Sequence, residues 1–149
     1  MPRSGLNWLW LLPLLFGLVY AAAYVTKFFS PNRNDAKLNE TERLLSEVPI
    51  YPDSELVYTS GASKDRIAGV GRSYKSTTSY DALKQYYVER LQALGWQYQG
   101  EEILFDWGRD LGGRRLSFRR REFDLNIQYA GERADYGWNY SIDVNWKAG

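Results

Sequence analysis

FDLNIQY at residues 123–129 and WNYSIDVNW at residues 138–146 alternate large apolar with polar side chains along their whole length. Phe123, Leu125, Ile127 and Tyr129 interleave with Asp124, Asn126 and Gln128. Trp138, Tyr140, Ile142, Val144 and Trp146 do the same with their own polar neighbours. Side chains of an extended chain point alternately to opposite faces, so a period of two predicts strands with one dry face and one wet face. The dry face needs a cover.

That cover lies upstream, where Thr78-Ser79-Tyr80-Asp81 offers an N-terminal cap and Tyr80, Leu83, Tyr87, Leu91 and Leu94 recur at helical spacing until Gly95 supplies a left-handed stop. Residues 55–60 and 66–75 read as a hairpin around the turn-rich 61–65, and residues 96–106 and 115–119 add two more strands. Short connections between successive strands favour antiparallel pairing. The expected fold is α+β in the order β-β-α-β-β-β-β. It consists of an antiparallel sheet of about five to six strands with one long helix packed on one face.

A chain of 149 residues with 44% apolar and 25% charged side chains fits one domain plus an appendage. Lys and Arg (19) nearly balance Asp and Glu (18), which argues against steering of nucleic acid by the whole molecule. Cysteine and histidine are both absent. This removes disulfides, thiolate nucleophiles, the usual zinc sites and every triad with an imidazole base, and no cofactor is expected.

The appendage is N-terminal. Residues 6–29 read LNWLWLLPLLFGLVYAAAYVTKFF, with Trp8 and Trp10 near one end, and Tyr20, Tyr24, Phe28 and Phe29 with Lys27 toward the other. About 20 apolar residues at about 1.5 Å each span a bilayer core, and aromatic rings favour its two interfaces. Residues 1–30 are therefore expected to form a transmembrane anchor, in contact with the lipid bilayer through residues 6–29. A cleaved signal peptide is the rival, with Arg3 at the start and Ala21-Ala22-Ala23 as a cleavage site. The apolar stretch continues past the alanines, which favours retention. Lys27, Arg33 and Lys37 would hold the domain in the cytoplasm, whereas the short N-terminal tail and alanine-rich segment favour export. The expected location is a single-pass membrane protein with its domain outside the cytoplasm. SPNRN at 30–34 breaks the helix, and residues 31–48 form a stem with a short helix carrying Leu38, Leu44 and Leu45, closed by Pro49. The α+β domain is expected over residues 49–149.

Tyr51-Pro52-Asp53-Ser54-Glu55-Leu56-Val57, the helix starting at Ser79 with tyrosines midway, and its end at Leu94-Gly95-Trp96 together carry a likeness. The chain resembles uncharacterised small bacterial domains, often behind a membrane anchor, that open on a "YP-x-small" strand and carry a helix ending "LxxxGW". The resemblance implies fold and anchoring, and it implies no activity.

The sharpest local feature is cationic. Arg109, Arg114, Arg115, Arg119, Arg120 and Arg121 face a single acid in their run, Asp110. Guanidinium forks suit carboxylates and phosphates, so these six are the candidate contact with an anionic lipid surface or a membrane protein partner. The plain alternative is a solvated strand edge ion-paired with Glu101, Glu102 and Asp106. Trp107, Phe118 and Phe123 beside the arginines imitate a single-stranded nucleic-acid platform, which the balanced charge and the anchor oppose. Gly69 to Ser76 superficially imitates a phosphate loop, but Tyr74 stands where the loop needs glycine. Glu101, Glu102, Asp106 and Asp110 could supply paired carboxylates for hydrolysis. Tyr51, Tyr98, Tyr136 and Trp146 could line a groove. The glycosylation patterns at Asn39 and Asn139 are too short to carry weight.

The expected function is a non-enzymatic accessory or interaction domain tethered at a membrane, such as a subunit of a membrane complex. The alternative is an anchored carrier or sensor for a small ligand. An aromatic-lined cavity would mark the carrier. A filled interior with an exposed apolar patch beside the arginines would mark the partner-binding domain.

Overall fold

The computed structural model describes residues 33–133 and 136–149. The expected transmembrane helix over residues 6–29 lies outside the described residues, and no helix among those described is long and apolar enough to cross a membrane. Arg33 to Gly149 form one compact unit.

The element order is α1 (Arg33–Glu47), β1 (Glu55–Lys64), β2 (Ile67–Lys75), α2 (Tyr80–Ala93), β3 (Gln97–Asp106), β4 (Arg109–Arg120), β5 (Phe123–Tyr129) and β6 (Tyr140–Lys147). The fold is α+β with a six-stranded sheet in the order β1-β2-β6-β5-β4-β3. Every pairing is antiparallel. The alternating stretches 123–129 and 140–146 lie side by side, with Leu125 opposite Val144 and Ile127 opposite Ile142. All four of these side chains are buried, so the period of two does set the dry face.

Two helices cover that face, not one. The segment expected as a stem supplies α1, whose Leu44 and Leu45, with Val48 just beyond, join the core. Leu38, Thr41, Leu44, Leu45 and Val48 form one stripe at helical spacing. Thr41 disguises the stripe in sequence. Its hydroxyl donates to the Leu38 carbonyl at 2.7 Å, which lets the residue be fully buried without an orphan polar group. Two polar contacts fasten α1 to the β4–β5 turn. Lys37 Nζ donates to Glu122 at 2.6 Å and Glu40 at 2.8 Å, and Arg120 reaches Glu47 at 3.1 Å.

Helix α2 ends where the sequence predicts. Ser79 Oγ accepts from the Ala82 N–H at 3.3 Å. At the far end Gly95 is left-handed (φ 83°) and the Trp96 N–H returns to the Leu91 carbonyl at 2.9 Å. Tyr87 on its buried face accepts from the Tyr51 N–H at 3.2 Å and sits 3.4 Å from the Tyr140 hydroxyl, which lies 2.9 Å from Ser54 Oγ. This relay ties the segment before β1, helix α2 and strand β6 into one unit.

Strand β1 is longer than expected, continuing through 61–64 to turn at Asp65, which is left-handed (φ 53°). Its glycine and small side chains leave it free to stay extended against β2, with Gly61 opposite Val70.

Two substitutions check this packing. Leu45→Ala, at a site 4% exposed, should cost about 2–5 kcal/mol in urea unfolding; a loss near zero would mean that α1 is only a stem. Tyr87→Phe should cost about 1–2 kcal/mol through the unpaired Tyr51 N–H and the weakened relay.

Candidate functional site

The six candidate arginines do not form one surface. Strand alternation puts Arg114 and Arg120 on the helix-covered side, in register with Tyr129 and Phe123, and puts Arg115 and Arg119 on the open side, in register with Gln128 and Asp124. Each of these four meets a carboxylate: Arg114 with Asp110 at 2.8 Å, Arg115 with Glu102 at 3.1 Å, Arg119 with Asp124 at 3.6 Å, and Arg120 with Glu47. Arg109 and Arg121 have no ion pair among the described residues. They lie at opposite ends of β4, a strand of 12 residues that spans roughly 40 Å at about 3.3 Å per residue.

The four candidate carboxylates are dispersed in the same way. Glu101 pairs with Lys84 of α2, Glu102 with Arg115, Asp106 with Arg133 at 3.2 Å and Asp110 with Arg114. The Lys84 ammonium holds the Glu101 carboxyl below the usual range, and the Arg114 guanidinium does the same for Asp110, helped by the Gly112 N–H. Both are ionised acids serving ion pairs.

The exposed aromatics are also different ones. Trp146 is buried, with its Nε1 donating to Glu122 at 2.7 Å. Tyr51 packs edge-on against Tyr86, and Tyr136 stacks on Trp138. Among the described residues the barest ring is at the β3–β4 tip, where Trp107 is 95% exposed beside Phe105 at 63%, with Ile103 behind them at 44%; Tyr58 on β1 is as open as Phe105. Trp107 and Gly108 both have positive φ, 47° and 79°, which makes the two-residue turn that suits a hairpin twist. Glycine adopts this conformation freely, whereas a bulky residue pays for it in strain. The indole gains nothing from the fold in return, and the acids flanking the turn, Asp106 and Asp110, are neutralised by their own arginines. The tip is therefore apolar and bordered by the free cation Arg109. Sequence reading missed it because nothing local separates a ring at a turn from a ring in a strand.

Between helices and sheet the space is filled by Trp96, Trp146, Tyr74, Tyr87, Tyr140 and Phe118. On the open face, by contrast, a groove of about 810 Å³ runs over Gly69 and Gly71 with Asp143 and Asn145 on its floor and Tyr58 and Trp138 in its lining. Burial pushes the Asp143 carboxyl above the usual aspartate range, against the opposing Asn126 hydrogen bond and the field of Arg115. An acid whose folded pKa is raised destabilises the fold once ionised, so that penalty is absent below the unfolded pKa and complete above the folded one. Asp143→Asn should therefore stabilise the protein toward urea at about pH 7 and lose this advantage at about pH 3; an equal gain at both would remove the carboxyl as its cause.

Comparison with protein-family models, with curated proteins and with solved structures found no match.

Proposed function

We propose that the chain is a non-enzymatic interaction domain, tethered to a membrane by residues 6–29 with the domain outside the cytoplasm, and that the β3–β4 tip is where it takes hold of a membrane protein partner. The observation that carries this is Trp107, 95% exposed in a strained turn beside Phe105. Exposed apolar groups with no packing role mark contact sites, and tryptophan leads among residues that dominate interfaces. The filled interior supports the same view, since it offers a ligand no room between helices and sheet.

Charge placement supports a division of labour along β4. Lys37, in the first half of α1, holds Glu122 in the β4–β5 turn, so Arg119 and Arg121 lie at the end of the sheet where the chain enters the domain. A tether that places this end near the bilayer would set Arg121, which has no ion pair among the described residues, against anionic headgroups, worth about 1 kcal/mol within a Debye length. The tip at the opposite end is then free for the partner. A carrier or sensor for a small polar ligand is the second reading, favoured by the open-face groove with its glycine floor and shielded Asp143.

Affinity capture of the full chain from membranes tests the leading proposal. The parent should retain a stoichiometric partner, and Phe105→Ser with Trp107→Ser should weaken that retention by roughly 30-fold or more, the equivalent of about 2 kcal/mol. Absence of a partner, or one retained equally by the variant, overturns it. Alkaline extraction that frees the intact chain from the membrane overturns the tether.

A further inference from the structure

Strand β1 is an edge strand, hydrogen-bonded to β2 on one side only. Edge strands present a row of unpaired backbone groups, and soluble domains defend them with mid-strand charges, proline or a covering element. Among the described residues this one has neither a charge nor a proline along its middle, and no strand pairs with its outer side. Its ten residues read ELVYTSGASK, and between Glu55 and Lys64 there is no charge and no proline. All ten are exposed except the half-buried Ser63, and Leu56, Val57 and Tyr58 are 50, 45 and 63% exposed. The one irregularity is a bulge between Leu56 and Tyr58, which increases twist without adding charge.

The opposite edge behaves differently. Strand β3 reads QYQGEEILFD, with two irregularities in its pairing to β4. Antiparallel pairing of β3 with itself about either central residue would set Glu101 against Glu101 or Glu102 against Glu102. Like charges directly opposite are destabilising, so this edge refuses its own kind.

Applied to β1, the same operation gives the reverse result. We infer that β1 is a self-association edge, through which two copies of the chain pair antiparallel about a twofold axis at Ser60, with the bulged Val57 left out of the ladder. In that register Glu55 of one copy faces Lys64 of the other, and symmetry makes the contact twice. Tyr58 faces Ala62 and Thr59 faces Gly61, each pair on one face of the sheet. Leu56 faces Ser63, so each apolar side chain in the ladder meets a small one. A one-residue slip would break every one of these pairs at once, which fixes the register. The product is a closed, isologous dimer with one continuous sheet, and closure is what spares so bare an edge from open-ended stacking. This is independent of the tether and of the β3–β4 tip, which lies at the far margin of the sheet.

The test is a charge exchange in the full chain, held in detergent micelles, with the monomer–dimer equilibrium read by sedimentation and the fold by circular dichroism. The parent should be dimeric. Glu55→Lys alone sets Lys against Lys64, and Lys64→Glu alone sets Glu55 against Glu, so each should weaken dimerisation by about tenfold. The double exchange should restore it to within about threefold of the parent. Both positions are exposed strand ends, so the fold should be retained in all three. Phe105→Ser with Trp107→Ser should leave the dimer unchanged. A parent that stays monomeric overturns the inference, and so does a dimer indifferent to the single exchanges, which would place the contact elsewhere in the chain.

Discussion

The buried tyrosine relay is the constraint on which the fold rests. Tyr87 and Tyr140 meet at the middle of the core, in rings 6.1 Å apart, and Tyr74 stacks on Tyr140 at 5.1 Å. A phenol is a large apolar body that still demands a hydrogen-bond partner when buried. Three elements meet that demand together: α2 gives Tyr87, β6 gives Tyr140, and the segment from Tyr51 to Ser54 closes both ends of the chain of bonds. The helix cannot slide along the sheet without orphaning a hydroxyl. The packing therefore gains a register that aliphatic side chains alone would leave loose, and burial drives the Tyr87 hydroxyl far above its usual pKa so that it remains a donor at any ordinary pH.

Charge is spent mostly on holding the molecule together. The arginine run looks in one dimension like a single cationic patch, but a strand deals its side chains alternately to two faces and a twelve-residue strand separates its ends widely. Arg120 fastens α1, Arg114 steadies Asp110 beside the tip, and Arg115 and Arg119 pair across the open face. Among the described residues, the groups left for contact with other molecules include the guanidinium groups of Arg109 and Arg121 toward the two ends of β4, the two rings of the β3–β4 tip, and the stretch of β1 between Glu55 and Lys64 with its exposed Tyr58.

The sheet was legible in the sequence because its signals are local. Alternation in 123–129 and 138–146, the cap at Ser79 and the stop at Gly95 each depend on neighbours a few residues away. Helix α1 was only half legible, since a threonine in its apolar stripe reads as polar until its hydroxyl is seen to bond the preceding turn. The fates of the arginines were legible only in part: pairing of Arg115 with Glu102 follows from the β3–β4 hairpin, as the plain alternative had it, but Glu47 is brought to Arg120 by tertiary folding across 73 residues. The exposure of Trp107 was hidden for the same reason, as a ring is core or surface only once the opposite wall is known.

The strand order also governs how the chain is made. Strand β6 lies between β2 and β5, so the strand of this sheet that is synthesised last is the one that joins its two halves. While a ribosome is still at work, the first hairpin and the β3–β5 meander have no common partner, and each exposes an apolar face. Pairings over such sequence distances form slowly. The nascent domain must wait in that open condition until its final residues emerge, and it is then, rather than after assembly, that a chaperone has most to offer it.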